Sequence, residues 1–392
     1  MYRNTGKRHD KIILWGAPLS LWTGRMWSYL MKKGVDFQQI YPVNQRYSDE
    51  IMPAIGYMAI PVTEFQDGTL IQDGTDTMLY MEERYPEVPM IPTLPLQRAV
   101  AWLIEFFGCD SFFIPAMHYR WNYPEQRAYI DAEFARAWSP RRDREGQQAD
   151  TAELSAWASA FVPYIGVNPQ TIPAIEDSHI ESLELLNDHF QHHPYILGGH
   201  PSVADFGLMA PFYAHLGRDP VPANVMKNKA PHVYRWTERM LEPGIVDGEF
   251  FDYPPAFAHD DSIPDTLIPF IEYLFRDCGP QVHGMIETFN AWANDDPKPI
   301  SGTLVKADPE GTGGAHPNLG EFEFELRGTK IKTQAFANVV FHFQRLLDVV
   351  SSLDDAGRAK FEALVSRTGG TELMASKLGR RMKSENYQLF LN

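Results

Sequence analysis

A short apolar run, Lys11 to Trp15 (KIILW), stops at Gly16 and Pro18, and a helical pattern follows from Thr23 to Lys33 before Gly34 ends it. Val35 to Tyr41 then reads as a second strand. Strand, helix and strand within about thirty residues make a βαβ unit, whose strands run parallel because the helix crosses over between them. No other feature of the sequence constrains the fold as tightly, since parallel strands need cover on both faces. Downstream, Ile60 to Phe65 (IPVTEF) and Thr69 to Ile71 flank Asp67-Gly68, a hairpin signal that tolerates positive φ. A helix from Thr75 to Arg84, with Met78, Leu79 and Met81 for its buried face, closes the unit.

This order predicts an α/β domain of thioredoxin-like type over residues 1–92. Val88 to Pro95 (VPMIPTLP) reads as an extended linker, because proline fixes φ and donates no hydrogen bond. Beyond it the period changes: Leu96 to Phe107 and Ile172 to Phe190 carry apolar residues at helical spacing, which predicts an all-α domain over 93–250. Within it, Ser139 to Asp150 (SPRRDREGQQAD) mixes both charge signs and reads as a solvated connection. Residues 251–392 predict an α+β extension. A helix around Pro264 to Trp292 comes first, then a glycine-rich loop at Gly311 to Gly314, which lacks the lysine of a phosphate loop. Glu321 to Leu326 (EFEFEL) and Thr329 to Thr333 alternate about Arg327-Gly328 as a hairpin, and two helices follow, Phe336 to Leu353 and Asp355 to Ser366. Phe322, Phe324, Leu326 and Ile331 leave an apolar face that two strands cannot bury alone, so the extension is expected to pack on the rest.

With 392 residues, 44% of them hydrophobic and 22% charged, the chain can bury two or three cores. A net charge of -16 repels phosphate backbones and anionic lipid, which argues against nucleic acid as a partner. No run of about 18 apolar residues occurs, so no membrane partner is expected. The two cysteines, Cys109 and Cys278, are too few for a disulfide framework, which fits a cytoplasmic location.

Four pieces in order make the first 240 residues resemble the cytosolic glutathione transferase superfamily. They are Pro18-Leu-Ser20-Leu-Trp-Thr-Gly-Arg25 after a strand, Ile60-Pro61-Val62 opening another, Gln72-Asp73-Gly74 before a helix, and Pro201-Ser-Val-Ala-Asp205-Phe206 followed by Ala230-Pro-His-Val-Tyr-Arg-Trp236. Ser202 and Asp205 read as a helix capping box, a structural signature without chemistry. The resemblance implies a thioredoxin-like domain with a cis-proline at Pro61, a helical domain, and glutathione as co-substrate.

It also implies site roles. Ser20, at a helix N-terminus that favours an anion, would donate to the glutathione thiolate, with Thr23 as the neighbouring hydroxyl able to cap the helix or replace it. Ile60 would pair its backbone with the cysteinyl part beside Pro61. Asp73 keeps a carboxylate for the γ-glutamyl ammonium, whereas Gly74 lacks the hydroxyl that the family commonly places there and offers only its amide. No Lys or Arg adjoins Pro61, so Arg46 is the nearest candidate for the glycyl carboxylate. The substrate pocket is expected from Trp22, Trp102, Phe106 and Phe113, although aromatics at helical spacing also read as core.

Cys109 reads as a buried or incidental thiol. His189, His192, His193 and His200 read as a solvated helix end, since no thiol or carboxylate completes a metal set. Two functions fit these residues. One is a transferase adding or exchanging the glutathione thiolate on a small apolar electrophile. The other is a non-catalytic binding or interaction module with the same fold. By resemblance the chain is expected to form a homodimer.

Overall fold

The computed structural model describes residues 2–295, 298–305, 318–385 and 387–392, so the Gly311 to Gly314 loop lies outside the described residues. The N-terminal unit runs β1 (Arg3–Asn4), β2 (Ile12–Trp15), α1 (Leu21–Lys33), β3 (Phe37–Ile40), α2 (Met52–Ile55), β4 (Val62–Glu64), β5 (Thr69–Ile71) and α3 (Gly74–Arg84). Its sheet has the order β1-β5-β4-β2-β3, with β2 and β3 parallel and the other pairs antiparallel. Every residue of β2 is buried. Ile12 and Leu14 face the main core, while Ile13 and Trp15 face Tyr47, Ile51 and Ile55 on the other side, the alternation a strand enforces.

The register fixes the place of the site. Trp15 lies opposite Val62 and Thr63 opposite Ile71, so β2 and β5 end where β4 begins. The turn leading to Ser20, the Ile60–Pro61 peptide and the Gln72–Asp73 turn therefore emerge at one end of the sheet. The long segment before Pro61 is helical, a π-turn over Tyr47–Ile51 running into α2 and stopped by Gly56 at φ 90°.

The helical domain follows as α4 (Pro95–Asp110), α5 (Phe113–Trp121), α6 (Arg127–Trp138), α7 (Arg144–Ala160), α8 (Ile172–His192), α9 (Val203–Ala214), α10 (Pro220–Lys229) and α11 (Pro231–Arg239). Helices α4 and α9 cross at glycines: a Cβ on Gly108 would come within 2.8 Å of the Gly207 backbone, and one on Gly207 within 2.5 Å of Glu105. The helical stretch Pro95–Trp121 is long and apolar enough to cross a membrane, yet 89% of its most apolar window is buried inside the protein, as a core helix would be. Asp205 Oδ2 accepts from the Ser202 amide at 2.9 Å and hydroxyl at 3.1 Å, and its Oδ1 takes the Ile196 amide and the Trp236 indole. The expected connection over Ser139 to Asp150 is corrected in its second half. Asp143 accepts from the Gly146 amide at 2.6 Å and caps α7, a solvated helix whose only buried residues are Thr151 and Ser155, so it has no apolar stripe to announce it.

The extension contributes α12 (Ile268–Tyr273), α13 (Gly279–Trp292), β6 (Asn318–Leu326), β7 (Thr329–Phe336), α14 (Ala337–Ser351), α15 (Asp355–Arg367), α16 (Thr371–Met374), β8 (Met382–Glu385) and β9 (Gln388–Leu391). The β6–β7 hairpin buries Phe324, Leu326 and Ile331. Phe322 lies on Gly284 of α13, where a Cβ would fall 2.3 Å from its ring, and Ile331 lies on Gly166 of the helical domain, where a Cβ would fall 2.4 Å away. Helices α14 and α15 cover α4, Gly357 of α15 leaving no space for a Cβ against Pro95. The β8–β9 pair, unread in the sequence, brings Tyr387 to donate to the Leu70 carbonyl of β5 at 3.0 Å. The extension thus packs on both preceding units.

Candidate functional site

At the sheet end, Ser20 is the N-cap of α1 in extended conformation, its hydroxyl accepting from the Thr23 amide at a long 3.4 Å. Ser20 is half-buried, while Thr23 is fully buried, its hydroxyl without a partner among the described residues and pressed on Gly16, where a Cβ would lie 2.5 Å from it. Thr23 therefore neither caps α1 nor reaches the surface. The loop before Ser20 is held from the helical domain: Arg120 donates to the Leu19 carbonyl at 2.6 Å while it is paired with buried Asp219 at 2.7 Å. The Ile60–Pro61 peptide is cis. Asp73 is the N-cap of α3, its Oδ1 accepting from the Asp76 amide at 2.8 Å. Gly74, the first residue of α3, faces α1, where a Cβ would stand 3.3 Å from the Met26 sulfur and 3.6 Å from an Arg25 nitrogen.

Two arginines meet this turn. Arg25 of α1 pairs with Glu105 of α4 and donates to the Thr75 hydroxyl at 3.0 Å, joining three helices. Arg345 of α14 comes from the extension: one nitrogen lies 3.1 Å from Asp73 Oδ1 and the other 2.7 Å from Asp76 Oδ1, with the guanidinium 4.6 Å from the Phe341 ring. Burial opposes ionisation of Asp73, but Arg345, His342 and the Asp76 amide outweigh it and hold the carboxyl well below its usual range. Asp76 is pushed the other way, by burial and then by the charge of Asp73. One turn earlier, His342 Nδ1 lies 2.9 Å from Asp110 at the end of α4. Asn338, His342 and Arg345 are spaced i, i+4, i+7, so one face of α14 runs from the Asp110 region to the α3 turn.

Near Asn338 is a cavity of about 30 Å³, lined by Trp22 and Phe113 together with Cys109, Asp110, Met285, Phe336 and Val339. It has room for about one or two waters. The side-chain oxygen of Asn338 is buried there without a hydrogen-bond partner among the described residues. The expected pocket is divided by this geometry. Trp22 and Phe113 line the cavity, whereas Trp102 and Phe106 are 5% and 1% exposed in the core, where Phe106 packs on Phe343 of α14.

A family model for the glutathione S-transferase N-terminal domain matches residues 14–89, and one for the glutathione S-transferase C-terminal domain matches residues 147–243. The chain belongs to the glutathione S-transferase superfamily. No curated protein matches it in sequence. Similar solved structures include a Tau class glutathione S-transferase from mango, at 18% identity and TM-score 0.36, covering 59% of this chain and 88% of that one. A Sphingobium beta-etherase aligns at 16% identity and TM-score 0.41, covering 59% and 94%. A Ceriporiopsis subvermispora glutathione S-transferase in complex with glutathione aligns at 15% identity and TM-score 0.40, covering 59% and 96%.

The remaining site candidates are distributed over two places. Ser20, Ile60, Pro61, Asp73 and Gly74 share the sheet end. Arg46 is committed elsewhere: it pairs with Glu50 at 2.8 Å and with fully buried Glu64 at 2.6 Å, and stacks 5.2 Å from Trp15. Cys109 is buried, and burial pushes its thiol well above the ordinary range, so it is a poor nucleophile. His189 is buried, bonded to Thr266 at 2.9 Å, and pushed down to about 3 by burial, so it belongs to the core and not to a solvated helix end. Among the described residues no group of three His, Cys, Asp or Glu is placed to hold a metal. The residues that the sequence did not reveal are Arg345, His342 and Asn338. Their spacing along one predicted helix was visible, but nothing local told which surface that face meets.

Proposed function

We propose that this chain binds glutathione at the end of its sheet and transfers or exchanges the thiolate on a small apolar electrophile. The observation that carries the reading is the convergence of Ser20, the Ile60 backbone beside Pro61, and Asp73 with Gly74 on three adjacent strand ends. In this reading the Ser20 hydroxyl donates to the glutathione sulfur and, with the α1 N-terminus, favours the thiolate. The thiolate attacks an electrophilic carbon held against Trp22 and Phe113, and the electron pair of the broken bond leaves with the departing group or is protonated. A hydroxyl at this position forms no mixed disulfide, so conjugation, ether cleavage or isomerisation fits better than thiol–disulfide exchange.

The second reading, a binding module without turnover, is favoured by the pairing of Asp73 with Arg345 and by the small size of the cavity. Retention of the purified chain on immobilised glutathione, with elution by free glutathione, tests both. Retention supports the glutathione reading, and passage through the column at millimolar ligand moves the assignment to the module. A homodimer is part of the proposal, and a light-scattering mass near 44.7 kDa at micromolar concentration would remove it.

A further inference from the structure

We infer that Arg345 completes the subsite for the α-amino-acid end of the ligand, taking its carboxylate while Asp73 takes its ammonium; this rests on the glutathione reading above. A zwitterionic head group needs one anion and one cation side by side. Gly74 leaves the expected hydroxyl out, so the α3 turn by itself offers only backbone amides to a carboxylate. Arg345 supplies the missing cation from the extension, in contact with the residue read as the ammonium partner.

The hydrogen-bond inventory leaves room for both ligand groups. A guanidinium has five donors. Arg345 spends two of them, one on Asp73 Oδ1 and one on Asp76 Oδ1. Asp73 Oδ1 accepts both Arg345 and the Asp76 amide, while Oδ2 accepts nothing among the described residues. The side chains of Arg345, Asp73 and Asp76 keep 20%, 31% and 30% of their exposure, so the triad borders solvent. A ligand ammonium can therefore meet Asp73 Oδ2 while its carboxylate meets the remaining N–H groups of Arg345, and Asp76 holds the guanidinium in place. Planar donors on one carbon suit a carboxylate better than a point charge would. The opposite role for the same contact is a plug, with Arg345 holding Asp73 against the ligand ammonium.

Calorimetric titration of the full chain with three compounds separates these roles. They are glutathione, 4-aminobutyryl-Cys-Gly, which lacks the α-carboxylate, and glutaryl-Cys-Gly, which lacks the α-amine. The native chain is expected to bind glutathione at least about ten-fold more tightly than either analogue. Arg345→Gln should weaken glutathione about ten-fold and leave the 4-aminobutyryl compound unchanged, and Arg345→Lys should recover part of the loss. Tighter glutathione binding by Arg345→Gln overturns the proposal in favour of the plug. Equal binding of glutathione and the 4-aminobutyryl compound by the native chain also overturns it, and needs no variant. No binding of glutathione by the native chain brings down the glutathione reading itself and this proposal with it.

Discussion

Arg25 and Arg345 both reach the first turn of α3, and they differ in how far water has been removed from them. Arg25 and Glu105 are 7% and 8% exposed, and Glu105 also accepts from Thr75. Arg345 is 20% exposed and its two carboxylates about a third, with donors and an acceptor left over. The first assembly is a joint between α1, α3 and α4 whose one ion pair among the described residues is sealed from water. The second closes the extension over the same turn with groups that can still exchange partners. Burial thus separates a charge pair sealed inside the fold from one whose groups still border solvent.

The largest effect should come from breaking the joint. Glu105→Gln leaves the Arg25 guanidinium buried without its counter-charge, which costs about 3–5 kcal/mol. Thermal melting followed by circular dichroism should show a fall of many degrees. A melting curve that overlays the native one would show that Arg25 is as solvated as Arg345, and the contrast would disappear.

Ser20 belongs with Arg345, since it is half-buried and its capping bond is long. Ser20→Ala should therefore act on chemistry more than on stability. The thiol of bound glutathione should rise by about one pKa unit or more, roughly 1.4 kcal/mol of lost preference for the thiolate. Affinity, which the proposals assign to Asp73, Arg345 and the Ile60 backbone, should change less. Titrating the thiolate absorbance against pH in both proteins checks this, and coincident curves would take Ser20 out of the mechanism. The buried Thr23 hydroxyl is not placed to substitute for it.

A smaller change tests the other half of the comparison directly. Arg345→Gln removes two ion pairs whose groups remain partly hydrated, so it should cost less stability than leaving a sealed charge unpaired. Its melting loss should be clearly below that of Glu105→Gln. Losses of equal size would make Arg345 a structural residue of the same kind as Arg25.

The legible part of this site is the part whose position follows from nearby sequence. Ser20, Ile60–Pro61 and Asp73 each end or begin a strand that announces itself through apolar runs, a proline or an Asp-Gly turn, and the βαβ and hairpin rules bring those ends together. Arg345 lies 272 residues from Asp73, and His342 lies 232 from Asp110, so no local pattern links them. The amphipathic pattern of α14 predicts that one face is covered without naming what covers it. The aromatic cluster shows the same limit: helical spacing marks Trp102, Phe106 and Phe113 alike, yet only Phe113 meets the cavity, because whether a face meets core or cleft depends on neighbouring helices. Arg46 is the cation nearest Pro61 along the chain, but Glu50 and Glu64 have the stronger claim on it in space.

The weakest effect expected is a pH dependence of the extension's seat on α4. His342 faces Asp110, with Arg345 and Asp73 as the other charged groups acting on it. Burial works against its imidazolium, but Asp110 overcomes this by charge and hydrogen bond, and the net shift is upward from the ordinary value of about 6.5. A base whose folded pKa is raised binds its proton more tightly when folded, so its stabilisation is complete below about pH 6.5 and is lost as pH rises through the folded value. The native chain should therefore lose melting temperature from near neutral pH upward relative to His342→Gln, which cannot titrate. At acid pH the native chain should be the more stable of the two, and the difference should shrink as pH rises. Parallel curves would mean that the imidazole keeps one protonation state throughout. The α14 contact would then rest on packing at Phe343 and on the Arg345 triad alone.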